Sequence, residues 1–187
     1  MTRYLFVLGL VCGQLLLCSP ALQAEERDPT RYALTAGGGF SFSTHDDVDF
    51  VQLSLSALLD QDPLFQLQLP ESLRFKLEGT VALTTEPDHR IMAGADMLAL
   101  YFLDGLSSQW LRPYVEAGIG LAYTDFKVEG QGLRVNFRSQ AGIGSEIQLG
   151  DGPPWFAAVR VQHLSNAGLD EDNAGINLIC FQLGRFF

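Results

Sequence analysis

The chain has 187 residues, is 47% hydrophobic and 18% charged, and carries a formal net charge of −10. That acidity excludes the basic face a nucleic-acid binder needs, and the length suits one domain, with no Pro/Ser linker or charge block to divide it. Of its cysteines, Cys12 and Cys18 fall in the apolar N-terminal segment and only Cys180 lies beyond it, so a small disulfide-stapled secreted domain is excluded as well.

The elements begin with a targeting segment. Arg3 precedes an apolar run from Leu5 to Cys18, and "SPALQA" offers a cleavage point after Ala24. A charged start, a short apolar core and small residues at the end describe a secretory signal peptide over residues 1–24 rather than a membrane-spanning helix. A lipoprotein signal ending at Cys18 is the competing reading, and Leu17 stands where it wants a small residue. A mature chain of about 163 residues is expected from Glu25.

Strict alternation follows. Every second residue is apolar in Leu34–Phe42, Val51–Leu59, Leu73–Leu83, Ile91–Tyr101, Val115–Tyr123, Val135–Ile147, Trp155–Ser165 and Asn177–Phe187, apart from a few polar or glycine positions, which predicts eight strands. The opposite phase carries Arg74, Lys76, Glu78, Asp96, Glu116, Arg138, Glu146 and Arg160, with Gln140, Gln148, Gln162 and glycines such as Gly94, Gly118, Gly120, Gly142 and Gly144. In a soluble sandwich or a lipocalin-type barrel the charges would face water, where glycines have no reason to share their face. In an eight-stranded antiparallel transmembrane barrel the charges fill a narrow lumen, and glycine leaves room for the long arms beside it. Four of these residues are basic and four acidic, so they can pair inside. The chain also stops on Phe187 after an outward phase of Ile179, Phe181 and Leu183. Even strand number, an apolar band and a terminal aromatic together predict an outer-membrane barrel over residues 25–187.

With the termini on the periplasmic side, outer loops fall near Thr44–Asp47, Glu86–His89, Lys127–Gly132 and Asn166–Gly175, and inner turns near Gln61–Glu71, Asp104–Gln109 and Gly150–Pro154. His163 and Ser165 then sit at the outer end of the seventh strand, on its lipid-facing phase and about 7 Å apart. Symmetric pairing about the last loop predicts Asn177 opposite Ser165 and diagonal to His163. Polar side chains without partners are costly on this wall, and Ser139 and Ser145 are the other outward polar exceptions. By itself H-x-S is an unspecific pair, compatible with two polar residues at headgroup level. The pair is compatible with nucleophilic chemistry, since histidine is the side chain suited to take a serine proton near neutrality. "SNAG" adds an amide and backbone N–H groups that can face an oxyanion.

The stretches "HLSNAG" and "NAGIN", ten residues from a terminal Phe, resemble the PagL family of lipid A 3-O-deacylases, and "PYVEAGIGLAY" and "FRSQAGIGSEI" resemble its fifth and sixth strands. The resemblance implies an outer-membrane esterase that removes the 3-O-linked acyl chain of lipid A. Ser165 would be its nucleophile, His163 its general base, and Asn166, Gly168 and Asn173 would surround the oxyanion. It implies lipopolysaccharide as partner and leaves a homodimer open. Asn177 occupies the place where many such sequences have a glutamate. An asparagine oxygen can fix the imidazole tautomer but adds no charge, and Asp170, Glu171 and Asp172 stand nearby as substitutes or as a solvated loop tip.

Other readings remain in view: a non-catalytic barrel for adhesion, binding or membrane integrity, a soluble periplasmic lipid carrier, or a porin, which eight strands make too narrow. No cofactor or metal site is legible, since His45, His89 and His163 are scattered. The Gly118/Gly120 and Gly142/Gly144 pairs lie inside alternating strands rather than in a phosphate-binding loop.

Overall fold

The computed structural model describes residues 29–42, 47–59, 69–86 and 88–187. The expected signal peptide, His45, and most of the first loop and first turn lie outside them. Among the described residues eight antiparallel strands close into one barrel in simple up-and-down order. They are β1 (Arg31–Ser41), β2 (Asp49–Leu58), β3 (Leu73–Glu86), β4 (Ile91–Phe102), β5 (Leu111–Thr124), β6 (Val135–Ile147), β7 (Trp155–Ser165) and β8 (Ile176–Phe186). Closure comes from β1 pairing β8, with Gly38 opposite Phe181. A closed barrel leaves no unpaired edge, the condition for a sheet to stand in hydrocarbon.

Period two sorts the side chains as the sequence predicts. The outward phase is exposed and apolar, from Leu34 on β1 through Val81, Ile119 and Ile143 to Leu183 on β8. Exposed aromatics gather at both rims: Phe40, Phe42, Tyr123 and Phe137 at the end away from the termini, Tyr32, Tyr101, Trp110 and Phe187 at the other. This is the girdle pattern of a barrel spanning a bilayer.

All eight expected lumen charges are buried. Arg160, only 1% exposed, bridges two carboxylates, with Nη1 2.5 Å from Glu78 Oε1 and Nε 2.5 Å from Glu116 Oε1. Lys76 donates to the same Glu116 at 3.0 Å, and Arg138 forks onto Asp96. Two residues depart from pairing within that set. Glu146 takes Arg31, at 2.7 Å, from the start of β1, and Arg74 caps the carbonyls of Leu59 and Pro29 at 2.8 and 3.2 Å. Both lie near the terminus end, where chain entering and leaving the barrel supplies partners that a strand-by-strand reading omits.

Glycine makes room for a long arm at Gly94, where a Cβ would strike the Arg138 guanidinium; one on Gly142 would meet the Val159 carbonyl at 2.5 Å as well as Arg160 Cγ at 2.9 Å. At Gly37 the obstacle is instead the Phe181 carbonyl of β8, 2.5 Å away.

Apolar plugs at both ends of the lumen are absent from the sequence reading. Ala33, Leu58, Leu98, Leu100, Phe102, Tyr114, Phe156 and Phe186 fill the terminus end. Val48, Phe50, Met92, Val128, Leu164, Ile176 and Leu178 pack at the loop end. The charges thus occupy a middle layer, where low dielectric strengthens each pair and makes any unpaired member costly. A lumen filled in three layers is a core, not a channel.

Candidate active site

His163 and Ser165 stand on the outward phase of β7, and Leu164 between them points inward to the loop-end plug, wholly buried. The ladder pairs His163 with Asn177 and Leu164 with Ile176, so the register continues to set Gly175 opposite Ser165. Asn177 therefore faces His163 directly, not Ser165 as symmetric pairing predicts. The difference is two residues, which preserves the face and changes only the neighbour.

The asymmetry of the loop explains the shift. Asn166 is 1% exposed and starts a tight turn with Ala167 at φ 56° and Gly168 at φ 81°, closed by the Leu169 N–H donating to the Asn166 carbonyl at 3.1 Å. Two left-handed residues suit glycine and strain alanine, and such strain persists only where the surroundings fix it. Here they do. The Asn166 N–H donates to Asn173 Oδ1 at 2.9 Å, its Nδ2 to the Asp172 carbonyl at 2.8 Å, and its Oδ1 accepts the Gly168 N–H at 2.8 Å. The returning chain is also stitched to the β5–β6 loop: Asn173 bridges Gln131, Gly132 N–H donates to the Asp172 carbonyl at 2.7 Å and Ala174 N–H to the Gly130 carbonyl at 2.8 Å. Buried Val128 anchors that loop in the plug.

His163 Nδ1 lies 2.7 Å from Asn177 Oδ1. An amide oxygen only accepts, so Nδ1 carries the proton and Nε2 is left as the basic nitrogen. The ring leans over Gly175: a Cβ there would lie 2.5 Å from His163 Cε1 and 3.2 Å from Nε2. Because Gly175 is the residue across from Ser165, the free edge of the imidazole is directed to the serine's row. Gly175 is thus a site residue that the alternation pattern does not reveal. Its backbone φ does not require a glycine, so the reason for glycine there is the ring above it, which no local sequence pattern shows. Phe137 on β6 pairs with Ser165 on the other side, and Phe42 N–H bonds the Asn177 carbonyl at 3.0 Å, so exposed aromatics flank the polar group.

The structure brings His163, Ser165 and Asn177 onto one patch of the wall, and gathers Asn166, Gly168 and Asn173 beside it by their mutual hydrogen bonds. Asp170 is turned to its own loop. Asp170 Oδ1 accepts the Asp172 N–H at 3.0 Å and lies against Gly132, and it is Asn177 that holds the imidazole.

A family model described as "Lipid A 3-O-deacylase (PagL)" matches residues 51–185. No curated protein sequence matches. Among solved structures, the outer membrane enzyme PagL is similar with a TM-score of 0.62 and 23% identity, over 81% of this chain and 97% of that one. Neisserial surface protein A gives 0.60 with 14% identity, over 87% and 97%. The N-terminal β-barrel domain of Pseudomonas aeruginosa OprF gives 0.52 with 19% identity, over 87% and 100%. At these identities the structural likenesses establish the fold, an eight-stranded barrel of the outer-membrane kind, while the family match runs from the start of β2 almost to the end of β8. The chain belongs to the PagL family of lipid A 3-O-deacylases.

Proposed function

We propose that this protein is a serine esterase of the outer membrane that hydrolyses the 3-O-linked acyl ester of lipid A. The observation that carries the proposal is the 2.7 Å contact between His163 Nδ1 and Asn177 Oδ1, on the outer wall beside Ser165. It fixes the tautomer a general base needs, at the level where a lipid headgroup meets its acyl chains.

Ser165 Oγ attacks the ester carbonyl while His163 Nε2 takes its proton. The oxyanion is met by donors around Asn166, Gly168 and Asn173, each worth roughly 3 to 4 kcal/mol when well aimed; the amide hydrogens of Asn166 and Asn173 serve here, since the Gly168 and Leu169 N–H groups are held by Asn166. Collapse breaks the acyl–oxygen bond, and His163 returns the proton to the sugar oxygen. Water, deprotonated by His163, then releases the fatty acid and restores Ser165. Asn177 is a positioning residue, acting through the imidazole.

The reading takes the termini as periplasmic, an orientation in which this group lies in the outer leaflet, where lipid A resides. A soluble enzyme would have to extract its lipid; a wall-mounted site meets the ester in place.

The test is a lipid A mass spectrum from cells expressing the wild type or Ser165→Ala. The wild type is expected to remove one ester-linked acyl chain and the variant none, with both barrels folded. Unmodified lipid A in the wild type would defeat the proposal. It would favour the second reading, a non-catalytic barrel for adhesion, binding or membrane integrity, to which the uncharged Asn177 lends weight.

A further inference from the structure

We propose that Arg185 binds the headgroup phosphate of a two-chain glycerophospholipid, seated on the wall of β7, β8 and β1 at the terminus end of the barrel. This place is at the opposite end from His163 and Ser165. From the reading above it takes only the periplasmic termini, which set it in the leaflet where glycerophospholipids reside.

The partners of the other cations isolate Arg185. Four arginines stand at the terminus end among the described residues. Arg31 is paired with Glu146 at 2.7 Å, Arg112 with Asp104 at 2.8 Å, and Arg74 is turned to the Leu59 and Pro29 carbonyls. Arg185 is exposed on the outward phase of β8 and makes no hydrogen bond or ion pair with a described residue. Its guanidinium carbon lies 5.4 Å from the centroid of the Trp155 ring, a contact that uses none of its five N–H donors.

The fork is placed at headgroup level. A Cβ on Gly152, in the turn between β6 and β7, would lie 3.5 Å from Arg185 Nη2, so the side chain stands beside that turn. The turn's Gly150 and Gly152 carbonyls are taken by Gln148 Nε2, at 2.6 and 2.8 Å, and its exposed Asp151 forms no ion pair with the arginine. One step nearer the rim, Tyr32 and Phe187 stack with centroids 6.4 Å apart. Aromatic rings at this level mark the boundary between acyl chains and headgroups, where a planar guanidinium matches a phosphate with two parallel hydrogen bonds.

Deeper along the wall, the relief suits two acyl chains. Half-exposed Leu183 and Phe181 form a ridge along β8. Leu183 pairs with Ala157 on β7 and with Ala36 on β1, and Phe181 faces Gly38 on the β1 side. These small residues leave a furrow on either side of Leu183, so a lipid with its phosphate at Arg185 can straddle the ridge with one chain in each.

The experiment is native mass spectrometry of the purified barrel in detergent, titrated with dioleoylphosphatidylglycerol or with dioleoylglycerol, which has the same chains and no phosphate. The wild type is expected to retain one phosphatidylglycerol, and Arg185→Gln to bind it about 10- to 100-fold more weakly, the worth of a hydrogen bond to a charged group. Arg185→Lys, which keeps the charge and loses the fork, is expected to fall between them. Arg112→Gln, which removes a cation already paired with Asp104, is expected to leave the affinity unchanged. Folding of each variant is read from heat-modifiable gel mobility. Equal retention of the two lipids by the wild type, an unchanged affinity in Arg185→Gln, or an equal loss in Arg112→Gln overturns the proposal. So does a preference for lipid A over phosphatidylglycerol that Arg185→Gln abolishes, because it assigns the arginine to the other leaflet.

Discussion

Replacing Asn177 by aspartate tests the role of the third group, because it keeps the shape and adds the charge that the site lacks. His163 Nδ1 and Asn177 Oδ1 are 2.7 Å apart, so a carboxylate placed there lies about 4 Å from the centre of an imidazolium formed during proton transfer. Two opposite charges at that distance attract by about 1 kcal/mol in water and about 4 kcal/mol at an effective dielectric of 20. His163 is exposed at the rim of the wall, which places the gain between those limits, or about 5- to 1,000-fold in kcat. The loss when the buried acid of the serine-protease triad becomes asparagine, about 10⁴-fold, exceeds this range because that acid is screened less from the imidazolium. The assay is kcat for 3-O-acyl release from purified lipid A by wild type, Asn177→Asp and Asn177→Ala at equal amounts of folded barrel. The expected order is Asn177→Asp fastest and Asn177→Ala slowest. If Asn177→Asp is no faster than wild type, or Asn177→Ala no slower, Asn177 does not act through the imidazole.

Two further substitutions separate the site from its scaffold. Gly175→Ala puts a Cβ 2.5 Å from His163 Cε1, so the ring must swing away from the row of Ser165. A displacement of about 1 Å at a reacting group lowers kcat on the order of 100-fold with KM little changed, and an unaltered kcat would mean that the ring does not need its place over Gly175. Arg160→Met leaves Glu78 and Glu116 facing each other with only Lys76 between them. Breaking a buried network in this way costs about 3 to 5 kcal/mol, measurable as a lower urea midpoint for the barrel in lipid vesicles; a change below about 1 kcal/mol would show that the lumen charges are not mutually dependent.

What the sequence made legible, and what it concealed, divide along a physical line. Alternation exposed the strands, their faces and the buried charges, because period two is a local property and a lipid-facing wall tolerates few exceptions. It also singled out His163, Ser165 and Asn177, as polarity on the wrong face. The plugs were hidden because Phe102, Phe156, Leu164 and Leu178 share the inward phase with the charges, and hydrophobic residues on both phases blur the alternation at strand ends. The partner of His163 was misplaced because a two-residue slip in the pairing of β7 with β8 keeps every side chain on its face. Only the turn at Asn166–Leu169 and the ties of Asn173 and Ala174 to Gln131 and Gly130 set that slip, and those contacts join loops far apart in sequence.

The two faces of each strand carry unlike tasks, and the division bears on how a site on an outer wall is built. A site in a cleft relies on surrounding protein to exclude water and hold the substrate. On an outer wall the bilayer does both, so what the protein must supply is fixed relative placement of a few groups. Residues on paired strands have that property, since the ladder sets Asn177 and His163 in one row and Ser139 completes it on the other side. Behind the row, Leu164 and Ile176 are wholly or almost wholly buried in the loop-end plug. Below the plug the Arg160 network ties β3, β5 and β7 together through Glu78 and Glu116. A side chain on the wall can therefore shift only by its own rotamers, because its backbone is held from within. The loop has no such backing, which accounts for its buried Asn166 and its stitches to the neighbouring loop: they give an irregular segment the rigidity that the strands have by register.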